Sequence, residues 1–307
     1  MSKWTAADIP DQTGRTILIT GANSGLGLAS ASALSARGAR VLLACRSPER
    51  AAPAVEQVTK AATGERPELV TLDLADLSSV RKASEDIRER TGDRLDVLMN
   101  NAGVMGPPLR RTADGFESQI GTNHFGHAAL TWLLTPAIRE RVVTVSSLAH
   151  HRGGLRVDDP NFELRRYDPV TGYGQSKLAN LLFAFELNRR LAKAGSDVIS
   201  VAAHPGFTKS ELSTNMARSR GSRFMERGAE LVNRIISQDT ATGTLPQLYA
   251  ATMPDVRGGE YFGPGGVLEL FGSPARARAS ANARDQVLAR RLWVVTAELT
   301  GVTPDPS

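Results

Sequence analysis

The sequence predicts a doubly wound α/β domain, a parallel sheet covered by helices on both faces. Three observations carry that reading. Short apolar runs of strand length recur along the chain, and each is followed by a longer stretch of helical pattern. A glycine-rich turn stands directly after the first run, at the edge where such a sheet binds ligands.

In chain order, the first run, Thr16 to Thr20, ends on that turn and a helix, and the second is Arg40 to Ala44. Leu69 to Leu72, Leu95 to Met99, Val142 to Val145 and Val198 to Ala202 follow. These runs are too short for helices, and they are continuously apolar, as strands buried on both faces are. Beyond Val201 the alternation weakens. Ser210 to Ser237 reads as amphipathic helix broken by Gly221 and Gly228, and we expect residues of about 205–240 to form a lid over a substrate. A helix from about Asp239 to Ala251, a short strand ending at Pro264, and a closing helix from Ala281 to Leu299 complete the chain. The closing helix, about 280–300, is read with Val287, Leu288, Leu292 and Val295 on one side. No repeat or linker divides the 307 residues, so one domain spanning 1–307 is expected.

Composition narrows the function classes. Hydrophobic residues make up 41% and charged residues 22%, enough apolar side chain for a substantial core. The single cysteine, Cys45, excludes a disulfide framework and any multi-cysteine zinc site and fits a reducing compartment, so the cytoplasm is expected. His150-His151 lacks the second cluster a metal site needs, and no metal is expected. The net charge of +5 comes from basic residues spread along the chain, which argues for solvated helix faces and against nucleic acid. No apolar run approaches the roughly 18 residues of a membrane span, so no membrane anchor is expected.

The turn Thr20-Gly21-Ala22-Asn23-Ser24-Gly25-Leu26-Gly27 opens a helix after the first strand. Glycines let the backbone approach a pyrophosphate, while the free N–H groups and partial positive charge of the helix N-terminus attract it. The spacing is G-x-x-x-G-x-G, which departs from the G-x-G-x-x-G dinucleotide fingerprint. At the end of the second strand, where an acid would bind a ribose 2′-hydroxyl, stands Ala44-Cys45-Arg46-Ser47. Arg46 suits a 2′-phosphate, which makes NADP(H) the expected cofactor and NAD(H) the second choice. The alternative places Arg46 merely on the surface before Pro48.

Tyr173 and Lys177 are one helical turn apart, and an ammonium beside a phenol favours the phenolate. Each unit by which a tyrosine falls below its usual pKa of about 10 takes roughly 1.4 kcal/mol. The pair is common on exposed helices, so it gains meaning only from its neighbours. Val142 to Val145 ends in Ser146-Ser147, a place for a hydroxyl to hold a carbonyl oxygen or simply to cap a turn. Asn100-Asn101-Ala102-Gly103 follows the fourth strand, and Asn123 lies in Gly121-Thr122-Asn123-His124-Phe125-Gly126-His127. Such amides fasten one strand to the next or hold a water.

Taken in order with His204-Pro205-Gly206, these motifs resemble the short-chain dehydrogenase/reductase family from about Gly14 to Leu212. Ala44-Cys45-Arg46, Thr122 to His127 and Gly174 to Asn180 resemble, more narrowly, its retinol dehydrogenase and WW-domain-containing oxidoreductase branch. The resemblance implies a Rossmann fold with a seven-stranded parallel sheet and a tetrad of Asn123, Ser147, Tyr173 and Lys177. Ser147 would polarise the substrate oxygen and Tyr173 exchange its proton. Lys177 would support Tyr173 and bind the nicotinamide ribose, and Asn123 would hold a relay water. The cofactor would lie along Gly21, Asn23, Ser24, Gly25, Leu26 and Gly27, with Asp73 at the adenine beside Leu74. Asn100, Ala102, Gly103, Pro205 and Gly206 would complete its path, with Ser210 at the carboxamide and Thr208 competing for that role.

Two departures stand out. Ser147 and Tyr173 are farther apart than the family's usual spacing, through an insertion carrying His150-His151 and Asp158-Asp159-Pro160, a feature often found in the narrower branch. The apolar N-terminal anchor of membrane-bound retinol dehydrogenases has no counterpart here. The expected function is an NADP(H)-dependent oxidoreductase interconverting an alcohol and an aldehyde or ketone, its small-molecule substrate apolar. A catalytically silent NADP-binding sensor or scaffold is the alternative, and an epimerase or dehydratase a more distant one. A homodimer or homotetramer is expected through Leu178, Leu181, Leu182 and Phe185.

Overall fold

The structure, a computed structural model, describes residues 4–207 and 240–306. Its strands are β1 (Thr16–Thr20), β2 (Arg40–Cys45), β3 (Glu68–Thr71), β4 (Leu95–Asn100), β5 (Ile138–Val145), β6 (Ile199–Ala203), β7 (Tyr261–Pro264) and β8 (Pro274–Arg276). They form one sheet in the order β3-β2-β1-β4-β5-β6-β7-β8. All neighbours pair parallel except β7 and β8. The seven expected parallel strands are therefore present, with one short antiparallel strand added at the edge. The turn that produces it folds Gly265 and Gly266 back onto Ser273 and Phe271.

Helices α1 (Gly25–Ser35), α2 (Pro48–Ala61), α3 (Leu77–Thr91), α4 (Ser118–Ile120), α5 (Gly126–Leu134), α6 (Pro169–Lys193), α7 (Thr240–Thr252) and α8 (Gln286–Thr300) cover the sheet. Strand alternation divides the core. Ile17 and Ile19 of β1 face α1 and α7, where Leu34, Leu248 and Ala251 receive them. Leu18 between them faces the other layer, where Ile87 of α3, Trp132 of α5 and Phe183 of α6 pack. Helix starts follow local chemistry: Ser47 and Asp168 accept N–H groups of the first turns of α2 and α6, each with proline at the next position. No helix among the described residues is long and apolar enough to cross a membrane.

Two expectations change at the C-terminus. Val287 is 60% exposed, because Asp285 caps α8 and the helix turns Ala289, Leu292 and Trp293 inward instead. Ala289 and Leu292, with Ala283, pack on Leu178, Leu181, Leu182 and Phe185, the apolar face of α6 that had been assigned to another subunit, and Trp293 packs on Phe183 beside it. The chain buries that face itself, so it does not supply the surface on which the oligomer expectation rested. Most of the lid expected at about 205–240, with Thr208, Ser210 and the span Ser210 to Ser237, lies outside the described residues. Phe207, in the described start of that span, donates its N–H to the Leu270 carbonyl.

Candidate active site

The chain runs outward from β1 to β2 and β3, then returns to the other side of β1 as β4. The crevice at the carboxyl ends of β1 and β4 is thus the topological switch point, where open α/β sheets bind ligands. A cleft of about 420 Å³ lies there. Gly21, Asn23, Ser24, Leu26 and Gly27 line it, and so do Arg46, Asp73 and Leu74. Strand order places Ala102, Gly103, Tyr173 and Lys177, which also line it, toward β5.

The glycine turn is shaped for close approach. Gly21 adopts φ +68° and Gly25 φ +54°, in the left-handed region that disfavours side chains. A Cβ on Gly27 would stand 2.4 Å from the Gly21 carbonyl oxygen and 2.7 Å from Asn101 Nδ2. Ser24 caps α1 without a side-chain hydrogen bond, so the first turn presents its N–H groups to the cleft edge. Below the turn, the buried Cys45 thiol receives the N–H groups of Ala22 and Asn23, and burial pushes it up to about 11. It is therefore a protonated thiol, a packing group and not a nucleophile.

At the β2 end, Arg46 lines the cleft as expected, and Arg50 joins it from the first turn of α2. The lining that β2 and α2 supply contains no carboxylate. Sequence reasoning missed Arg50; its spacing of four after Arg46 was the available signal.

The other end is built from β5 and α6. Lys177 Nζ donates to the Val145 carbonyl at 3.1 Å and stands 5.6 Å from the Tyr173 ring centre. Asn180 donates to the same carbonyl, and Ser146 Oγ donates to the Lys177 carbonyl, locking the end of β5 onto α6. Ser146 is thereby spent on structure. Ser147 starts a 3-10 turn (Leu148–Arg152), and its Oγ accepts the Ala149 N–H, leaving its own hydrogen to donate. His150 Nδ1 lies 2.7 Å from the Ser147 carbonyl, while its Nε2 accepts the Ser280 N–H. Among the described residues no cluster of metal-ligating side chains forms, around His150 and His151 or elsewhere.

Some of the expected residues stand elsewhere or make other bonds. Asn100 is fully buried and donates its amide to Thr131, because the last residue of β4 points into the helical layer; Asn101 lines the cleft in its place. Asn123 gives both amide hydrogens away, to the Val104 carbonyl and to Ser176 Oγ, and its Oδ1 accepts the Val104 N–H. That amide fastens a loop and is not available to hold a relay water through its hydrogens. Pro205 and Gly206 sit on the turn after β6, where a Cβ on Gly206 would meet the Leu270 carbonyl at 2.6 Å; they, like Gly25 and Ser147, stand outside the residues that line the cleft.

The residues present fit a nicotinamide dinucleotide: an anion-binding turn, a basic end, and a narrow floor. A Cβ on Gly103 would lie 3.3 Å from Asn123 Oδ1 and 3.5 Å from Lys177 Nζ, so this backbone leaves room for a flat group that a side chain would fill. Comparison with known proteins agrees. Residues 15–221 match the model of the short chain dehydrogenase family. Human retinol dehydrogenase 13 is 37% identical over 94% of this chain and 85% of its own length. Human retinol dehydrogenase 11 is 39% identical over 95% and 87%. A crystal structure of an uncharacterized protein from Mycobacterium paratuberculosis superposes with TM-score 0.82 at 42% identity, covering 98% of both chains. The chain belongs to the short-chain dehydrogenase/reductase family of oxidoreductases, whose fold binds a nicotinamide cofactor, and within it is retinol dehydrogenase-like.

Proposed function

We propose that this protein is an NADP(H)-dependent oxidoreductase of the cytoplasm that interconverts an alcohol with an aldehyde or ketone on an apolar small molecule. The observation that carries the reading is a single cleft joining the glycine turn and the Arg46–Arg50 pair to Tyr173 and Lys177. Arg46 and Arg50, together at the β2 end of the cleft, favour a 2′-phosphate over a free 2′-hydroxyl. Gly21 to Gly27 and the first turn of α1 would hold the pyrophosphate, Asp73 and Leu74 the adenine end, and Lys177 the nicotinamide ribose. The bound nicotinamide would supply the hydride to the substrate carbon, or accept it in the reverse direction.

The protein's own part is the proton. Ser147 donates its hydroxyl hydrogen to the substrate oxygen, which polarises the carbonyl and fixes its position. Tyr173 then gives its phenolic proton to that oxygen as negative charge develops there, and takes it back when an alcohol is oxidised. The Lys177 ammonium, held by Val145, stabilises the phenolate left behind.

The test is loss of reduced-nicotinamide absorbance with NADPH and, separately, NADH, against aldehydes and ketones from short polar to long apolar. Turnover that is faster with NADPH and rises with chain length is expected. Tyr173→Phe should abolish it with NADPH binding intact; full activity in that variant defeats the mechanism. Arg46→Ala and Arg50→Ala should each weaken NADPH far more than NADH, and equal losses would remove the specificity argument. NADPH binding without turnover of any carbonyl would favour the silent sensor instead.

A further inference from the structure

His127 has no part in that scheme, yet it lies between its two halves. It sits in the first turn of α5, 2% exposed, with one ring nitrogen on the nucleotide side and the other on the catalytic side. Nε2 is 2.8 Å from the hydroxyl of Thr20, the last residue of β1 before the glycine turn. Nδ1 is 3.0 Å from the backbone carbonyl of Asn123.

Counting hydrogens fixes the state of the ring. Thr20 Oγ1 accepts the N–H groups of Asn101 and Ala102, each at 2.9 Å, which uses both of its lone pairs. Its one hydrogen must therefore go to an acceptor. His127 Nε2 at 2.8 Å is much nearer than the other acceptor, the Met99 carbonyl at 3.4 Å. Nε2 is bare, the proton is on Nδ1, and Nδ1 faces a carbonyl that accepts it. The other tautomer, or an imidazolium, would aim an N–H at an oxygen with no lone pair left. Burial and the neighbouring Lys177 charge hold the ring neutral, its pKa down at about 4, against the pull of the Asn123 carbonyl.

The path continues on both sides. Asn123 belongs to a π-helical turn (Gly121–Phe125), a wide turn of the kind found where a helix is deformed for function. Its side chain donates to Ser176, which precedes Lys177 on α6 and whose hydroxyl donates to the Tyr173 carbonyl. On the other side, Asn101 returns its amide to the Thr20 carbonyl and lines the cleft.

We propose that His127 is a positioning residue: a neutral, Nδ1-protonated imidazole that ties the strand carrying the phosphate-binding turn to the Asn123–Ser176 support of Tyr173 and Lys177. Hydride and proton transfer need both halves of the cleft in register, and His127 supplies that register without touching substrate. The inference rests on the oxidoreductase reading above, since it assigns His127 to the geometry of that reaction.

The experiment compares wild type, His127→Leu, His127→Gln and Tyr173→Phe. His127→Leu removes both bonds and should lower kcat by about 10- to 100-fold, the scale of a misplacement near 1 Å. NADPH affinity, measured by fluorescence, should change little, and the isotope effect with 4-deuterated NADPH should rise as the transfer step becomes limiting. A merely structural role would lower the amount of active protein and leave the isotope effect where it was. Glutamine can both donate and accept, so His127→Gln should restore most of kcat. His127→Leu with wild-type kcat and isotope effect, beside an inactive Tyr173→Phe, overturns this inference alone; an active Tyr173→Phe overturns the reading beneath it.

A second measurement needs no cofactor. In the cofactor-free wild type, ¹⁵N spectra of labelled histidine should show the His127 ring, identified as the signal missing from His127→Gln, as an Nδ1–H tautomer unchanged from about pH 5.5 to 8; His150, whose Nε2 accepts the Ser280 N–H, should give a second such signal that the variant keeps. An Nε2–H tautomer for the His127 ring, or its titration within that range, would overturn the proposal.

Discussion

Acidification should destabilise this protein before its carboxylates protonate, and the magnitude follows from three buried histidines. His124, His127 and His150 are each no more than 2% exposed. Burial, the leading cause in each case, lowers them from 6.5 to about 3, about 4 and about 4. The unfolded chain therefore binds a proton at each near pH 6.5, while the native protein does not until far lower. A histidine with a depressed folded pKa contributes stability above its unfolded value that is lost as pH falls below it. Between pH 7.5 and 5.5 each group should remove about 1.4 kcal/mol, about 4 kcal/mol for the three. His204, also lowered by burial, acts in the same direction, although its bond to Glu269 opposes the shift. Urea unfolding at the two pH values, with the slope checked for constancy, measures the difference. His127→Gln and His150→Gln should each recover about 1.4 kcal/mol of it. A total loss below about 1.4 kcal/mol, or variants that leave the pH dependence untouched, would refute the assignment of these rings as buried and neutral.

Two predictions concern packing. Trp293 of α8 stacks on Phe183 at 5.6 Å, meets Trp132 edge-on at 4.9 Å and carries Arg190 over its face at 4.6 Å. Trp293→Ala should cost about 3–5 kcal/mol in chemical denaturation, and a loss under about 1 kcal/mol would show that α8 is not an integral layer. Gly27→Ala should abolish nucleotide binding in a fluorescence titration, since its Cβ would lie 2.4 Å from the Gly21 carbonyl oxygen. Wild-type affinity in that variant would refute the close-packing account of the turn.

What the sequence could and could not show follows from what determines each feature. The strands of the central sheet were legible because they are buried on both faces: every residue of β1 and β4 is buried, which favours apolar side chains and leaves room only for partnered polar ones such as Asp96, which accepts the Thr16 N–H. The phosphate-binding turn was legible because its conformations and contacts admit only glycine. Strand β8 was not, since Pro274, Ala275 and Arg276 lie at an edge, half-buried or exposed, and the apolar run of a buried strand is not required there. The pair Asn100-Asn101 could not be resolved from residue type alone. The two have the same chemistry, and only the pleat of β4 sends one toward Thr131 and the other to the cleft. The apolar face of α6 was visible as a pattern, but a pattern does not say whether another subunit or the chain's own C-terminus covers it.

The choice between Ser146 and Ser147 shows how the insertion leaves the site intact. Residues 148–168 lengthen the chain between Ser147 and Tyr173, yet they do not separate the two ends. Gly153 packs against Gly174 so closely that a Cβ would stand 2.3 Å from the Gly174 carbonyl oxygen, returning the chain to α6 beside Tyr173. Asp159 and Arg165 close the excursion by an ion pair, and Gln175 holds it through Arg165 and the Pro160 carbonyl. Two clamps at the base of the insertion therefore set where α6 begins, and Ser146 and Lys177 set where β5 ends. Between them the 3-10 turn takes the Ser147 hydroxyl as its cap, and His150 holds the Ser147 carbonyl. Ser146, with its hydrogen given to Lys177, has none left to offer a substrate oxygen. Ser147, buried but 7% exposed where Ser146 is fully buried, keeps its hydrogen, so the long spacing changes the scaffold around that serine and not its chemistry.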